Sequence, residues 1–441
     1  MTSPSSAGLR RILGVGFGLA VTVGGTIGVG ILRTPSLIAA QLPDWSSILL
    51  VWVVGGLYTL LGAVCLAELG TAVPQAGGYY VYARRALGDA VGFAVGWTDW
   101  LTYGAVLAYL SIAIGEFLVV LVPSLAGYEK AIAVVTLVGF VALQSAGLRV
   151  SSWFQEWTTA VKCLAFLALV AACLTMAGGT SSAAASSTAA LPAATTTGVI
   201  VALQAVVIAF GGWQGALYFA EEDRNPQANL PKAMIGGVLA VIVIYLLVNA
   251  AVLAVLPIPD LARSTLAAAD AARVVFGERG GQFITVLSIL SLVPLLNAIM
   301  MIGTRILFAL GRDGLFWSRA AAVNASGTPA VATLVTTILA IGLIATGTFQ
   351  QLVALVSCFL AANYCICCIA LVVLRRREPN LARPFRAWGY PWSAAIVVIG
   401  AVVFLIGVLI GDTVNGLIAL GLLLAGLVGR AVTKGIFRKE R

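Results

Sequence analysis

The chain has no histidine, and charged residues make up only 10% of its 441 positions. Soluble domains carry roughly 25% charged and about 45–50% apolar residues. Here the apolar share is 61% and the mean hydropathy is +1.04, which excludes an ordinary water-soluble protein. Without imidazole, and with no nucleophile placed beside a base, there is no catalytic constellation to name, and the chain reads as a non-enzyme. No cysteine lies in a polar stretch: Cys65, Cys163, Cys173, Cys358, Cys365, Cys367 and Cys368 all sit within apolar runs. The Cys-Ile-Cys-Cys run at 365–368 lacks a histidine to complete a metal site. The cysteines are therefore read as small apolar packing residues, with no metal and no other cofactor expected. The first apolar segment carries no small-residue cleavage site, so it reads as a span and not as a removable leader.

What is present is a succession of long apolar runs. A hydrocarbon core of about 30 Å takes about 20 apolar residues per helix. Runs bounded by polar or Gly/Pro breaks predict twelve transmembrane helices: Ile12–Gln41, Ser46–Thr71, Val91–Val122, Ala131–Gly147, Val150–Ala177, Val199–Phe219, Ala233–Leu256, Phe283–Leu310, Ala330–Thr346, Leu352–Leu374, Trp392–Ile410 and Val414–Val432. They leave no separate soluble domain, so 1–441 is one transmembrane unit. The net charge of +9 invites a nucleic-acid reading, but its placement decides against one. Of 26 Lys and Arg residues, nineteen fall in the loops and tails of one side, and only Lys130, Arg263, Arg273 and Arg279 on the other. By the positive-inside rule both termini are expected in the cytoplasm. The Ser/Thr/Ala-rich stretch Gly178–Gly198 is expected to be a flexible external loop. Pro257–Gly281 is long enough to cap the outer mouth, although a passive connector fits it equally.

Two spans are interrupted. The first contains Val23-Gly24-Gly25-Thr26-Ile27-Gly28-Val29-Gly30-Ile31, and the sixth contains Phe210-Gly211-Gly212-Trp213-Gln214-Gly215. Each glycine weakens a helix by about 1 kcal/mol relative to alanine, and unwound backbone at membrane depth is tolerated only inside protein or beside a water-filled cavity. Close helix packing through small residues is the competing explanation. Interruptions at matching places in two five-helix halves favour a transporter binding site instead. A broken helix ends in free carbonyls and restarts with free N–H groups. Such a pair suits an amino acid zwitterion, with the N–H groups near Gly28, Val29 and Gly30 for the carboxylate. Carbonyls near Thr26, Ile208 and Gly211 suit the ammonium. The candidate substrate residues are thus Thr26, Ile27, Gly28, Val29, Gly30, Ile208, Phe210, Gly211 and Trp213, with Phe210 and Trp213 shaping an apolar pocket. No charged side chain lies in either interruption.

Lys162 stands thirteen residues beyond Arg149, about 20 Å along a helix at 1.5 Å per residue. An ionisable group at that depth is a functional candidate. It either exchanges a proton during transport or stays charged as a fixed cation, and a structural lysine bonded to unwound carbonyls overlaps the second case. Glu68 is expected to pair with a loop arginine. Asp99 is expected near a solvated helix end, with Glu116 at the far end of the same span, and Arg305 is expected to reach the cytoplasmic interface.

These residues resemble the amino acid–polyamine–organocation (APC) transporter family, from Leu13 to about Pro391. Gly24 through Ile31 is similar to its first-helix signature, and Ala67-Glu68-Leu69 through Pro74-Gln75-Ala76-Gly77-Gly78-Tyr79-Tyr80-Val81-Tyr82 to its second-helix motif. Phe210-Gly211-Gly212-Trp213 with Glu221-Glu222, Asn225-Pro226 and Asn229-Leu230-Pro231 resembles the sixth-helix motif. Arg383-Pro384-Phe385-Arg386 with Trp388-Gly389-Tyr390-Pro391 resembles the loop after the tenth helix. The resemblance implies an all-α, LeuT-type fold with helices 1 and 6 discontinuous. It consists of a 5+5 inverted repeat (12–177 and 199–374) and two further helices (392–432). Within the family the chain looks most like the L-type branch and its bacterial relatives. That implies import or exchange of amino acids by alternating access, with Lys162 standing in for sodium and Tyr245 as its partner. It also implies that Gly211 leaves room for larger side chains. Two departures stand out: Pro123–Lys130 has no cysteine for a disulfide-linked ancillary subunit, and Ile208 and Val29 replace that branch's gating aromatic and its serine.

The expectation is a sodium-independent transporter of neutral amino acids, an exchanger or a proton symporter, in a prokaryotic plasma membrane. Its partners would be an amino acid, lipid and protons, as a monomer or weak homodimer. The alternative is a membrane receptor that senses an amino acid without transport.

Overall fold

The computed structural model describes residues 9–177, 195–264, 266–324, 326–346, 349–411 and 413–439. It is all helical, and among the described residues the one strand-like feature is an isolated bridge between Leu13 and Asp223. The expected loop over Gly178–Gly198 lies mostly outside the described residues.

The helices are α1 (Val15–Thr26), α2 (Gly30–Ala39), α3 (Trp45–Ala72), α4 (Tyr79–Leu87), α5 (Asp89–Leu121), α6 (Glu129–Ser145), α7 (Leu148–Ala177) and α8 (Thr196–Ala209). After a 3-10 segment at Trp213–Phe219 come α9 (Pro226–Val255), α10 (Ile258–Arg263), α11 (Ala267–Phe276) and α12 (Gly280–Arg312). The last four are α13 (Ala330–Thr346), α14 (Phe349–Arg377), α15 (Trp392–Gly411) and α16 (Thr413–Lys439). All twelve expected runs fall on helix. Among the described residues nine helices are long and apolar enough to cross a bilayer, or ten with the bent pair α1–α2 taken as one span. The helices α6 and α13, of 17 residues each, fall short of that length.

Local sequence sets several of the starts. Asp44 caps α3 by accepting the Ser47 amide at 2.8 Å. Thr195 caps α8 through the Gly198 amide at 3.0 Å. Asn225 opens α9 with Pro226 at the first turn, where a missing N–H costs nothing. The stretch 257–281 forms α10, α11 and a short turn, and α10 and α11 both lie against α2.

Core residues form two clusters. One runs along α3, α4, α5, α12 and α14. The other gathers Ile27, Ile31, Trp52, Phe166, Phe210 and Tyr245. Long helices carry polar groups into both, and two expectations need correcting here. Arg305 does not reach a water interface. It is 1% exposed and forks onto Glu222 with two 3.0 Å hydrogen bonds. Asp99 is not solvated. The helix α5 begins ten residues earlier, at Asp89, about 15 Å back along the axis, so Asp99 lies deep and 1% exposed. Glu68 does pair with loop and helix-end arginines: Arg375 Nε donates at 2.8 Å and Arg383 Nε stands 3.3 Å away.

The arginine-rich end is fastened shut. Leu13, just before α1, exchanges backbone hydrogen bonds with Glu222 and Arg224, both at 3.0 Å. Arg312 pairs with Glu221 at 2.7 Å, and the Tyr80 hydroxyl donates to Asp313 at 2.7 Å. Outside the spans, Arg85 hydrogen-bonds Glu378 at 2.6 Å and holds that carboxyl below its ordinary range.

Candidate functional site

The helix α1 continues through Gly24 and Gly25 and stops at Thr26. Ile27 is extended (φ −72°, ψ 101°), and α2 restarts at Gly30 after a 45° bend. The second break is set by Gly212. Its φ of +110° is a left-handed value that only glycine adopts freely. A Cβ there would lie 2.0 Å from the Gly25 carbonyl oxygen. The two breaks therefore meet backbone to backbone. Gly30 likewise abuts the end of α8, where a Cβ on Gly30 would touch Ala209 at 3.6 Å.

Two side chains fasten these ends. The Lys162 ammonium, on α7, donates to the Gly24 carbonyl at 2.9 Å and to that of Ile27, and it is fully buried. The Tyr245 hydroxyl, on α9, lies 3.1 Å from the Thr26 carbonyl and 2.9 Å from that of Ala209. A hydroxyl carries one proton, so Tyr245 shares it between the two breaks. Nearby, Gln155 and Thr159 both reach the Ala20 carbonyl, at 3.2 and 3.1 Å.

Above the breaks, towards the end opposite the arginine-rich one, lies a cavity of about 320 Å³. Its walls include Thr26, Gly28, Val29, Gly30, Ile208 and Gly211, and its reach extends to Arg33 and Glu116, both exposed. Among the described residues the amides of Gly28, Val29 and Gly30 find no protein acceptor. The carbonyl of Ile208 accepts the Gly211 amide at 2.9 Å, and a carbonyl has a second lone pair to offer.

Three candidates stand off the cavity wall. Ile27 is buried in the core, and only its carbonyl takes part, under Lys162. Phe210 packs between Trp52 and Tyr245, with ring centroids 6.1 and 4.9 Å away. Trp213 lies behind Tyr364, whose ring is 5.7 Å distant. Both aromatics back the breaks and do not shape the pocket.

Sequence reasoning missed the polar floor. Gln214 accepts from the Tyr364 hydroxyl at 3.0 Å and donates to that of Tyr103 at 3.3 Å, and all three line the cavity. Gln214 stood within the quoted interruption, and its polar side chain at membrane depth was the available signal. Tyr103 and Tyr364 are mid-span tyrosines with nothing local to mark them.

A family model described as amino acid permease matches residues 18–427, both breaks included. The chain belongs to the amino acid permease (APC) family. The serine/threonine exchanger SteT of Bacillus subtilis is 28% identical over 438 residues, 98% of each chain. The b(0,+)-type amino acid transporter 1 of Oryctolagus cuniculus is 27% identical, covering 87% of this chain and 80% of its own. The human large neutral amino acids transporter small subunit 2 is 26% identical, covering 86% and 72%. These permeases are transporters and exchangers, and this chain shares their multi-pass helical build.

Proposed function

We propose that the protein is a sodium-independent carrier of neutral L-amino acids that works by alternating access. The observation that carries this reading is the set of amides at Gly28, Val29 and Gly30 that find no acceptor among the described residues, on backbone that lines the cavity beside the end of α8. The substrate carboxylate takes those amides, favoured by the positive end of α2. The ammonium takes carbonyls at the end of α1 and around Ile208 and Gly211. The side chain lies over Gly211 and the apolar wall of Leu295, Ile299 and Leu360. Fixed carboxylates are absent from the breaks, which favours neutral over cationic side chains.

Lys162 donates to the carbonyls of Gly24 and Ile27, where a sodium ion would otherwise neutralise the same dipoles. This supports sodium independence and leaves exchange or proton symport as the driving mode. In orientation, the arginine-rich end faces the cytoplasm with both termini, in a plasma membrane, and twelve helices cross it as a 5+5 inverted repeat with two more. The cavity then faces outward. Inward opening requires the Leu13 bridge and the Glu222–Arg305 layer to part as α2 and the 3-10 segment close over the substrate. The names of the relatives, a serine/threonine exchanger and a large neutral amino acid transporter, support a neutral substrate. Pro123–Lys130, with no cysteine, supports a carrier without a disulfide-linked subunit, working as a monomer or weak dimer.

The test is uptake of labelled L-serine and L-leucine by proteoliposomes, with and without sodium, internal amino acid and a pH gradient. Uptake stimulated by internal amino acid or by inward protons, and indifferent to sodium, is expected. A strict sodium requirement overturns the reading. Binding without any accumulation or exchange would make the protein a receptor.

A further inference from the structure

A carboxylate buried one layer below the cavity has no role in the scheme above. Asp99 of α5 is 1% exposed and takes part in none of the ion pairs among the described residues. Its hydrogen-bond partner is the Tyr218 hydroxyl, which donates to Oδ2 at 2.8 Å. The titratable groups that face it are Tyr103 on its own helix, Tyr218 on the 3-10 segment, Tyr79 on α4, and Tyr364 and Cys367 on α14. None is a cation. From α12, Arg305 is committed to Glu222. From α16, Arg430 lies over Phe93, 5.2 Å from its ring and six residues back along α5. An ionised carboxylate so placed, with one hydroxyl donor and no counter-charge, would carry a desolvation cost of several kcal/mol.

The position matters as much as the burial. Tyr218 and Gln214 belong to the same 3-10 segment, Trp213–Phe219, which follows directly from the break at Gly212. Gln214 lines the cavity and hydrogen-bonds Tyr103. The Tyr103 ring meets that of Tyr218 edge to face, centroids 5.4 Å apart. Cavity, segment and carboxyl are thus joined in one contact chain, and the Tyr218–Asp99 bond crosses from the segment to α5. The hydroxyl of Tyr79, whose ring is 5.8 Å from that of Tyr218, is buried and has no hydrogen-bond partner among the described residues.

We propose that Asp99 is a proton-binding site linked to occupancy of the cavity through Tyr218. The outward-facing arrangement holds Asp99 as the neutral acid against Tyr218. Movement of the 3-10 segment withdraws Tyr218, admits water, and lets the carboxyl release its proton to that water. An amino acid that draws the water-admitting, ionised arrangement back to the outward one therefore binds together with one proton, and this uptake is read on the alkaline side, where Asp99 of the unliganded protein is ionised. This deepens the carrier reading and rests on it, because it names the group through which protons would couple.

The experiment is calorimetric titration of the purified full chain with L-serine, and with L-leucine as a second probe, across pH and in two buffers of different ionisation enthalpy. For wild type the expected result is proton uptake on binding, with affinity falling about tenfold per pH unit on the alkaline side, the slope for one linked proton. Asp99→Asn, permanently neutral and nearly isosteric, is expected to bind with a flat pH profile and no buffer-dependent heat. Tyr218→Phe is expected to bind with its pH profile displaced. The proposal is overturned if wild type binds without taking up a proton across the alkaline range, or if folded Asp99→Asn keeps the wild-type proton count. Should Asp99→Asn fail to fold, Asp99→Glu is read in the same way: a displaced pH midpoint supports the proposal and an unmoved one overturns it. Absence of binding by wild type is a separate failure, that of the carrier reading, and the proposal falls with it.

Discussion

The ammonium of Lys162 lies 2.9 Å from the carbonyl oxygen of Gly24, 138 positions earlier in the chain. That contact places a buried cation under the last turn of α1, where the helix leaves carbonyls without N–H partners. Replacement by methionine keeps the length and removes the donor. Each carbonyl so stranded costs about 1–3 kcal/mol. Lys162→Met is expected to lose at least about tenfold in uptake, since 1.4 kcal/mol is a factor of ten. Uptake of labelled L-serine by proteoliposomes, matched for inserted protein, checks it, and added sodium should not restore the loss.

The Tyr245 hydroxyl spans the two breaks, touching the carbonyls of Thr26 and Ala209. Because one proton serves both, Tyr245→Phe removes roughly one net hydrogen bond, about 0.5–1.5 kcal/mol. Substrate affinity should weaken by roughly two- to tenfold, while the aromatic packing against Trp52, with centroids 5.3 Å apart, is retained. Binding titrations with wild type and variant side by side measure the ratio.

Adjacent glycines should respond differently. An alanine at 212 would drive its Cβ to 2.0 Å from Gly25 O at a φ of +110°, and Gly212→Ala is expected to abolish folding or transport outright. At Gly211 the nearest atoms to an added Cβ are Ile208 O at 3.1 Å and Leu360 Cδ2 at 3.8 Å. Gly211→Ala should fold and occupy the part of the cavity proposed for the substrate side chain. Competition of L-leucine against L-serine uptake should then shift towards the smaller amino acid.

Ion pairs at the arginine-rich end differ by burial. Glu222→Gln leaves Arg305 buried beside a neutral amide and should cost about 3–5 kcal/mol, a large fall in thermal midpoint. Glu378→Gln breaks a pair in which both side chains are about a third exposed, worth about 0–1 kcal/mol. Arg85 lowers the Glu378 carboxyl. That small contribution is therefore present above the ordinary carboxylate range and disappears as pH falls through the lowered value. Thermal melts of the two variants across pH separate the cases.

Much of this was legible in the sequence because the signals are local. Apolar runs of span length placed the helices, and the glycine clusters marked both breaks, although α1 keeps its helix through Gly24 and Gly25 and parts only at Ile27. Pairings across long separations were not legible. Arg305 meets Glu222 across 83 positions, and nothing near either residue names the other. Asp99 looks peripheral in sequence because it stands eight residues into the run that starts at Val91, but α4, α12 and α14 all pack on α5 and it is buried. Beside the glycines, Phe210 and Trp213 read as pocket residues, but Phe210 packs on Trp52 and Tyr245 and Trp213 on Tyr364, partners distant in sequence that residue type alone does not reveal.

The central claim is that peptide groups at two helix breaks hold both poles of a zwitterion. Its most direct test is a thermal-shift comparison of the detergent-solubilised chain with an L-amino acid, its N-acetyl derivative, and the amine lacking the carboxylate. A ligand that binds only the folded state raises the melting point. The account predicts that the intact amino acid stabilises the protein while both single-pole derivatives leave the melting point unmoved. Equal stabilisation by either derivative would contradict it.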